Sequence, residues 1–244
     1  MKKNKILFEA FDPYIYNVGI KPYPAIKGMP DWWKNIPKYA NPETFSLHTP
    51  VVTVKACAPT IDMLGAGYII PLWGDFLVQK NKNEKLTVTT QTTKDYILAM
   101  ESWHPEQSSD YEVPDGFNKQ VFKYHHGWKI KTPPGWSTLF IHPEGYQNLP
   151  IRSIGGIVDT DILDTEINCP FFIKDGFSGI IKKGTPMIQA IPFKREDWYA
   201  EYSVAKDPDE YYYNTEKIKT KFYGYYSSIR RKNKYKWKTY YYQH

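Results

Sequence analysis

The sequence predicts a mainly β, single-domain protein, and three observations carry that prediction. Between Trp128 and Trp198, short β-branched and aromatic runs alternate with Gly and Pro turns. The turns recur roughly every eight to twelve residues, as a small barrel or sandwich requires if each strand is to reverse before leaving the core. Aromatic residues make up 17% of the 244-residue chain, with 21 Tyr, and large flat side chains favour strands over a helical bundle. Seven prolines in the first 50 residues (Pro13, Pro22, Pro24, Pro30, Pro37, Pro42 and Pro50) leave room there for one short helix at most. The expected architecture is a β-barrel or jelly-roll-like core over 51–205. A Pro/Trp-rich wrapping segment (1–50) precedes it and a basic, Tyr-rich arm (206–244) follows.

Each element has its own justification. In the wrap, Pro30-Asp31 supplies a helix start and Pro37 a stop, so Pro30 to Ile36 is the predicted helix and the Trp32-Trp33 pair its anchor. Val51 to Ala56 alternates weakly and reads as a strand, and Tyr68 to Leu72 as a buried one. Phe76-Leu-Val and Leu86 to Thr93 flank a polar turn and read as a hairpin; residues 100–127 read as a long polar connection. Trp128 to Lys131 and Ser137 to Ile141 bracket the Thr132-Pro-Pro-Gly135 turn. Further strands are expected at Ser153–Val158, Glu166–Ile173, Gly179–Ile181 and Pro186–Ile191, and Asp197–Ala205 reads as a helix or a last strand.

The net charge of +6 hides an uneven distribution. Nine of the 32 Lys and Arg residues fall within 217–244, where there is no Asp or Glu; the rest of the chain holds the other 23 against all 26 acidic side chains. A mildly acidic body with a basic aromatic arm is therefore expected. No run of about 18 apolar residues and no signal-peptide core occurs, so no membrane association is expected. Cys57 and Cys169 lack any C-x-x-C spacing and read as separate reduced thiols, suited to a reducing compartment.

Gly156-Ile-Val-Asp159-x-Asp161, followed by Gly179-Ile-Ile-Lys-Lys-Gly184-Thr-Pro-Met-Ile-Gln189, resembles the end of a trimeric dUTPase or dCTP-deaminase domain, the β-clip fold. That family has a Gly-Val-Ile-Asp hairpin motif and a later Gly-Asp-Arg-Ile-Ala-Gln motif. The resemblance implies that Asp159 orients an attacking water or contacts a sugar, and that Gln189 contacts a ligand. Ser137, in Gly135-Trp-Ser-Thr-Leu, stands near the place of the family's phosphate-binding motif, without its arginine. Pro186 replaces the arginine of the later motif, and the glycine-rich closing arm is missing. Phosphoryl chemistry needs cations, metals or backbone N–H groups to stabilise charge, so the fold is expected without the activity.

The wider pattern resembles an uncharacterised family common in tailed-phage genomes. It runs through Pro30-Asp-Trp-Trp-Lys-Asn-Ile-Pro, Cys57-Ala-Pro-x-x-Asp62, Gly67-Tyr-Ile-Ile-Pro, Pro133-Pro-Gly-Trp-Ser and Gly184-Thr-Pro-x-x-Gln189 to Trp198. This resemblance implies a viral origin, with the protein in the cytoplasm of an infected host cell or in the virion.

Other constellations are thinner. His104, His125, His126 and His142 would be needed for a cupin-like metal site, but none shows a tight ligand spacing, and the adjacent pair would point to opposite faces of a strand. No cofactor is expected. Ser137 is not in a G-x-S-x-G elbow. The arm interleaves cations with rings, among them Arg230, Arg231, Lys234, Tyr235 and Trp237. That mixture suits single-stranded nucleic acid or a protein interface, and so many rings suit permanent disorder poorly. The expected function is a non-catalytic, phage-type structural or interaction protein. It would assemble as a homo-oligomer, a trimer by analogy with the barrel, and its partners would be viral structural proteins or nucleic acid. The competing expectation is an enzyme, either a nucleotide pyrophosphatase of dUTPase-like fold or a metal-dependent β-barrel enzyme.

Overall fold

The structure, a computed structural model, describes residues 4–41, 52–83, 85–90, 100–220 and 236–238. Its strands are β1 (Leu7–Ala10), β2 (Tyr23–Pro24), β3 (Tyr68–Pro71), β4 (Phe76–Lys80), β5 (Leu86–Thr90), β6 (Met100–Ser102), β7 (Phe117–Tyr124), β8 (Trp128–Lys131), β9 (Trp136–Ile141), β10 (Ile151–Ser153), β11 (Gly156–Val158), β12 (Cys169–Lys174), β13 (Gly179–Ile181) and β14 (Pro186–Lys194). The helices are α1 (Pro13–Val18), α2 (Asp31–Asn35), α3 (Ala58–Leu64) and α4 (Pro208–Thr220). The fold is mainly β.

The strands form four antiparallel sheets with the orders β1-β8, β10-β12-β7-β6, β11-β9-β14-β3-β2 and β13-β4-β5. None of these closes on itself among the described residues. All four nevertheless contribute to one core, in which Ile70, Phe76, Tyr124, Ile130, Phe171 and Ile188 lie together. At its centre the Tyr124 hydroxyl donates to Pro71 O (2.9 Å) and accepts from Trp73 N (3.0 Å). One buried phenol thus answers two backbone groups where β3 ends. Burial raises its pKa well above the ordinary tyrosine value.

Several segments depart from the expectation, each for a local reason. The first 41 residues hold two helices rather than one. Pro13 opens α1 at a position where a missing N–H costs nothing, and Asp12 caps it by accepting from Tyr14 N at 2.6 Å. The wrap also joins the sheets, through β1 on β8 and β2 on β3. The predicted strand at Val51–Ala56 is, over its described part, a single bridge at Val52 and a 3-10 turn over Val54–Ala56. Thr53 diverts the backbone there by accepting from Lys55 N.

The supposed connection at 100–127 contains β6 and β7. Polar side chains conceal β7, and Gln120 is one of them: it donates to Leu86 O (3.0 Å) and accepts from Leu86 N (3.2 Å), imitating a strand partner. Ser153–Val158 is not one strand, because the chain changes sheets at Ile154-Gly155. Residues 197–205 form neither helix nor strand.

Candidate functional site

Residues from β9, from the turn after β11 and from the end of β14 meet in one polar cluster. Antiparallel pairing sets Trp136 against Lys194 and Thr138 against Val158, so β9 is flanked on both sides at its start. Ser137, buried on that strand, donates its hydroxyl to Asp159 Oδ1 (2.6 Å) and accepts from Arg195 Nη1 (3.0 Å). The Arg195 guanidinium meets Asp161 through Nη1 to Oδ1 (2.8 Å) and Nη2 to Oδ2 (2.5 Å), a bidentate pair, and lies 3.1 Å from Asp159 Oδ1. Asp161 also accepts from Gly135 N (2.7 Å), while Arg195 N donates to Gly135 O (2.8 Å). Beneath the cluster, Thr160 Oγ1 lies 2.7 Å from Thr132 Oγ1 and 2.8 Å from Thr138 Oγ1.

The electrostatics are those of a clamp. The Asp161 side chain is 6% exposed, and Arg195 and the Gly135 N–H hold its carboxyl down to about 2. It therefore takes no proton near neutrality, where a general base must. Among the described residues the Ser137 hydroxyl is held by a carboxylate and a guanidinium, with no imidazole or amine of the kind that activates nucleophilic serines. Asp159 is half exposed and turns its carboxylate toward solvent beside the arginine.

Of the residues singled out in the sequence, Ser137 and Asp159 are brought together and Gln189 is not. Gln189 pairs with Ile141, four positions along β14 from Phe193, the partner of Ser137; that is about 13 Å of strand. Gln189 is fully buried. Its Oε1 accepts from Glu144 N (3.0 Å), and its Nε2 donates to Met63 O (3.0 Å) and Ala66 O (2.8 Å). The side chain ties β14 to the end of α3: both Nε2 hydrogens are committed to backbone carbonyls and Oε1 already accepts a backbone N–H. The same junction explains Gly67. With φ +66°, a Cβ there would lie 2.0 Å from Ala190 O.

The histidines are dispersed. His104 is exposed and caps a 3-10 turn. His142 Nδ1 accepts from Ser153 N and its Nε2 contacts Tyr146 O, which commits both ring nitrogens, and burial lowers its pKa. His126 is fully buried and its Nδ1 accepts from Trp128 N at 3.0 Å; burial holds it neutral, with a pKa of about 4. His125 lies 3.8 Å from both Glu101 Oε2 and Glu166 Oε2. Burial pushes the Glu166 carboxyl up, but His125, His126 and the Gly127 N–H outweigh it and leave the pKa lowered. Among the described residues, no group of three or more His, Cys, Asp or Glu side chains could hold a metal ion. Cys57 and Cys169 are free.

Arg195 escaped the sequence reading because it lies in a charged run, Lys194-Arg-Glu-Asp197, that looks like a solvated strand end. The available signal was the missing arginine of the Gly135-Trp-Ser motif, which the end of the neighbouring strand β14 could supply. Comparison of the chain with protein-family models, with curated proteins and with solved structures finds no match.

Beyond Arg195 the character of the chain changes. Residues 196–206 are exposed and form no regular element, with Trp198 at 88%, Tyr199 at 89% and Tyr202 at 93%. Helix α4 follows, capped by Asp207 through Asp209 N and Glu210 N, with Tyr211, Tyr212 and Tyr213 in solvent. Arg230, Arg231, Lys234 and Tyr235 lie outside the described residues. Trp237 sets its ring edge-on to Tyr68 (5.8 Å), and the Tyr68 hydroxyl donates to Lys238 O (3.0 Å). No helix of the described residues is long and apolar enough to cross a membrane.

Proposed function

We propose that this chain is a non-catalytic assembly protein of the phage structural or interaction type, associating into a homo-oligomer through its β body and its C-terminal arm. One observation carries the reading. Arg195 is fixed to Asp161, Ser137 and Gly135, and directly after it the chain leaves the body with three aromatic rings almost wholly in water. Rings of this size are rarely left exposed in a cluster unless a partner covers them. The cluster that resembles a catalytic site then acts as the anchor of an arm. The finer architecture belongs to the same proposal: four sheets around one core are what a β-clip or jelly-roll barrel would present, and a trimer is the assembly such a barrel favours. Nucleic acid and viral structural proteins are the further partners that a basic, ring-rich tail would suit.

A second reading has one observation in its favour. Arg195 supplies, beside Ser137 and Asp159, the cation that the dUTPase-like motif lacks in sequence. Turnover of nucleoside triphosphates, abolished by Asp159→Ala, would establish that enzyme reading and overturn ours. We expect none, and we expect the chain among the proteins of purified virions when these are analysed by mass spectrometry.

A further inference from the structure

Resting on the assembly reading, we infer that residues 197–205 are an unpaired β-strand whose partner is the open edge of β11 on a second copy of this chain. Trp198, Ala200, Tyr202 and Val204 alternate with Tyr199, Glu201 and Ser203, the period-2 pattern of a strand with one apolar face. In the described residues no backbone hydrogen bond joins 196–206 to the body. The segment therefore has a strand's side-chain pattern without a strand's ladder.

The acceptor is equally unfinished. β11 is the outer strand of its sheet and carries neither charge nor proline, the usual guards of a free edge. Ile157 is 64% exposed and the nearby Ile162 is 72% exposed. Gly155 and Gly156 enter the strand, and the space above Gly156 is open to at least 4 Å, room for another backbone to approach.

Topology selects this edge and places the contact in trans. The arm is rooted against the start of β9 and β11 lies on that strand's other flank, so root and edge are about 10 Å apart. Between Arg195 and Asp207 there is no Gly or Pro to reverse the chain. Pairing with its own β11 would need a reversal within 196–206, which the neighbour's β11 does not require. Three aromatic side chains of about 150–250 Å² each put roughly 450–750 Å² into one arm. One arm with its counterpart surface then buries roughly 900–1,500 Å², which reaches the ~1,200–2,000 Å² of a stable interface.

Sedimentation of the full chain and of two exposed-site variants tests this. Ile157→Asp spoils the edge and Trp198→Ser/Tyr202→Ser spoils the arm. Each should weaken self-association by about tenfold or more, and an equal mixture of the two should recover association, because it contains one intact arm and one intact edge. A mixture as dissociated as its components overturns the pairing. Hydrogen exchange on the unmutated chain provides a check free of folding defects: protection should rise with concentration at both 156–158 and 197–205. Protection at 179–181 in place of 156–158 rejects β11 while leaving assembly intact. A chain that stays monomeric at every concentration rejects assembly itself.

Discussion

The strand ends around Ser137 and the segment after Arg195 are neighbours in space and opposites in how their groups are satisfied. In the first, Ser137, Asp161 and the threonine hydroxyls meet donors and acceptors from three elements. In the second, Trp198, Tyr199 and Tyr202 meet almost nothing. A catalytic site usually shows the reverse arrangement: reactive polar groups left incompletely answered in a cleft, and apolar surface put away. Here the polar groups are closed on one another and the apolar surface is on offer. On the proposed assembly reading, the clamp serves stability and the arm recognition.

The sharpest way to break the closed region is at Gln189. Gln189→Leu leaves the Glu144 N–H and the Ala66 carbonyl without their partner, at about 1–3 kcal/mol for each, and leaves Met63 O only the backbone bond from Ala66 N. The expected loss is about 4 kcal/mol, read as a fall in Tm of roughly 8–16 °C for a chain of this size. A ligand-contacting glutamine would instead tolerate the change in stability and lose binding.

Acid attacks the closed region elsewhere. His126 has a folded pKa of about 4 against about 6.5 when unfolded. The unfolded chain then binds more protons between those values, so stability is complete above about pH 6.5 and falls as pH drops towards 4, by on the order of 3 kcal/mol. The lowered Glu166 pKa acts in the same direction below its ordinary range. Denaturation measured across that window should show the slope, and His126→Asn, which keeps an acceptor for Trp128 N, should flatten it.

Arg195→Ala lies on the boundary between the regions. It strips the bidentate partner from a nearly buried Asp161, but Arg195 itself is partly exposed and solvent screens the pair. A lower midpoint in chemical denaturation, together with weaker self-association, is expected. The smallest effect on folding belongs to the arm. Trp198→Ser/Tyr202→Ser should leave unfolding free energy within about 0.5 kcal/mol of the parent, as exposed substitutions generally do.

The fold class was legible because turn chemistry is local. The Thr132-Pro-Pro-Gly135 turn, the β4–β5 hairpin and the Pro30–Pro37 brackets of α2 declare themselves in a few residues. β7 was hidden because Gln120 is polar in sequence yet paired like backbone in space. The break between β10 and β11 was hidden because a change of sheet leaves no mark on alternation. Ser137 and Asp159 were found through a motif, whereas Arg195 required the register of β14 on β9, which no local pattern encodes. Gln189 fitted the same motif, and only its three buried partners give it a structural role. The segment 197–205 read as a helix or a last strand; what sequence could not supply was that no described residue of the same chain pairs with it.

Sedimentation equilibrium of the full chain beside Trp198→Ser/Tyr202→Ser tests the division between clamp and arm most directly. The account predicts a concentration-dependent oligomer for the unmutated chain and a folded, dissociated variant whose Tm matches that of the unmutated chain at concentrations low enough to dissociate it. Equal association of the two proteins would contradict it.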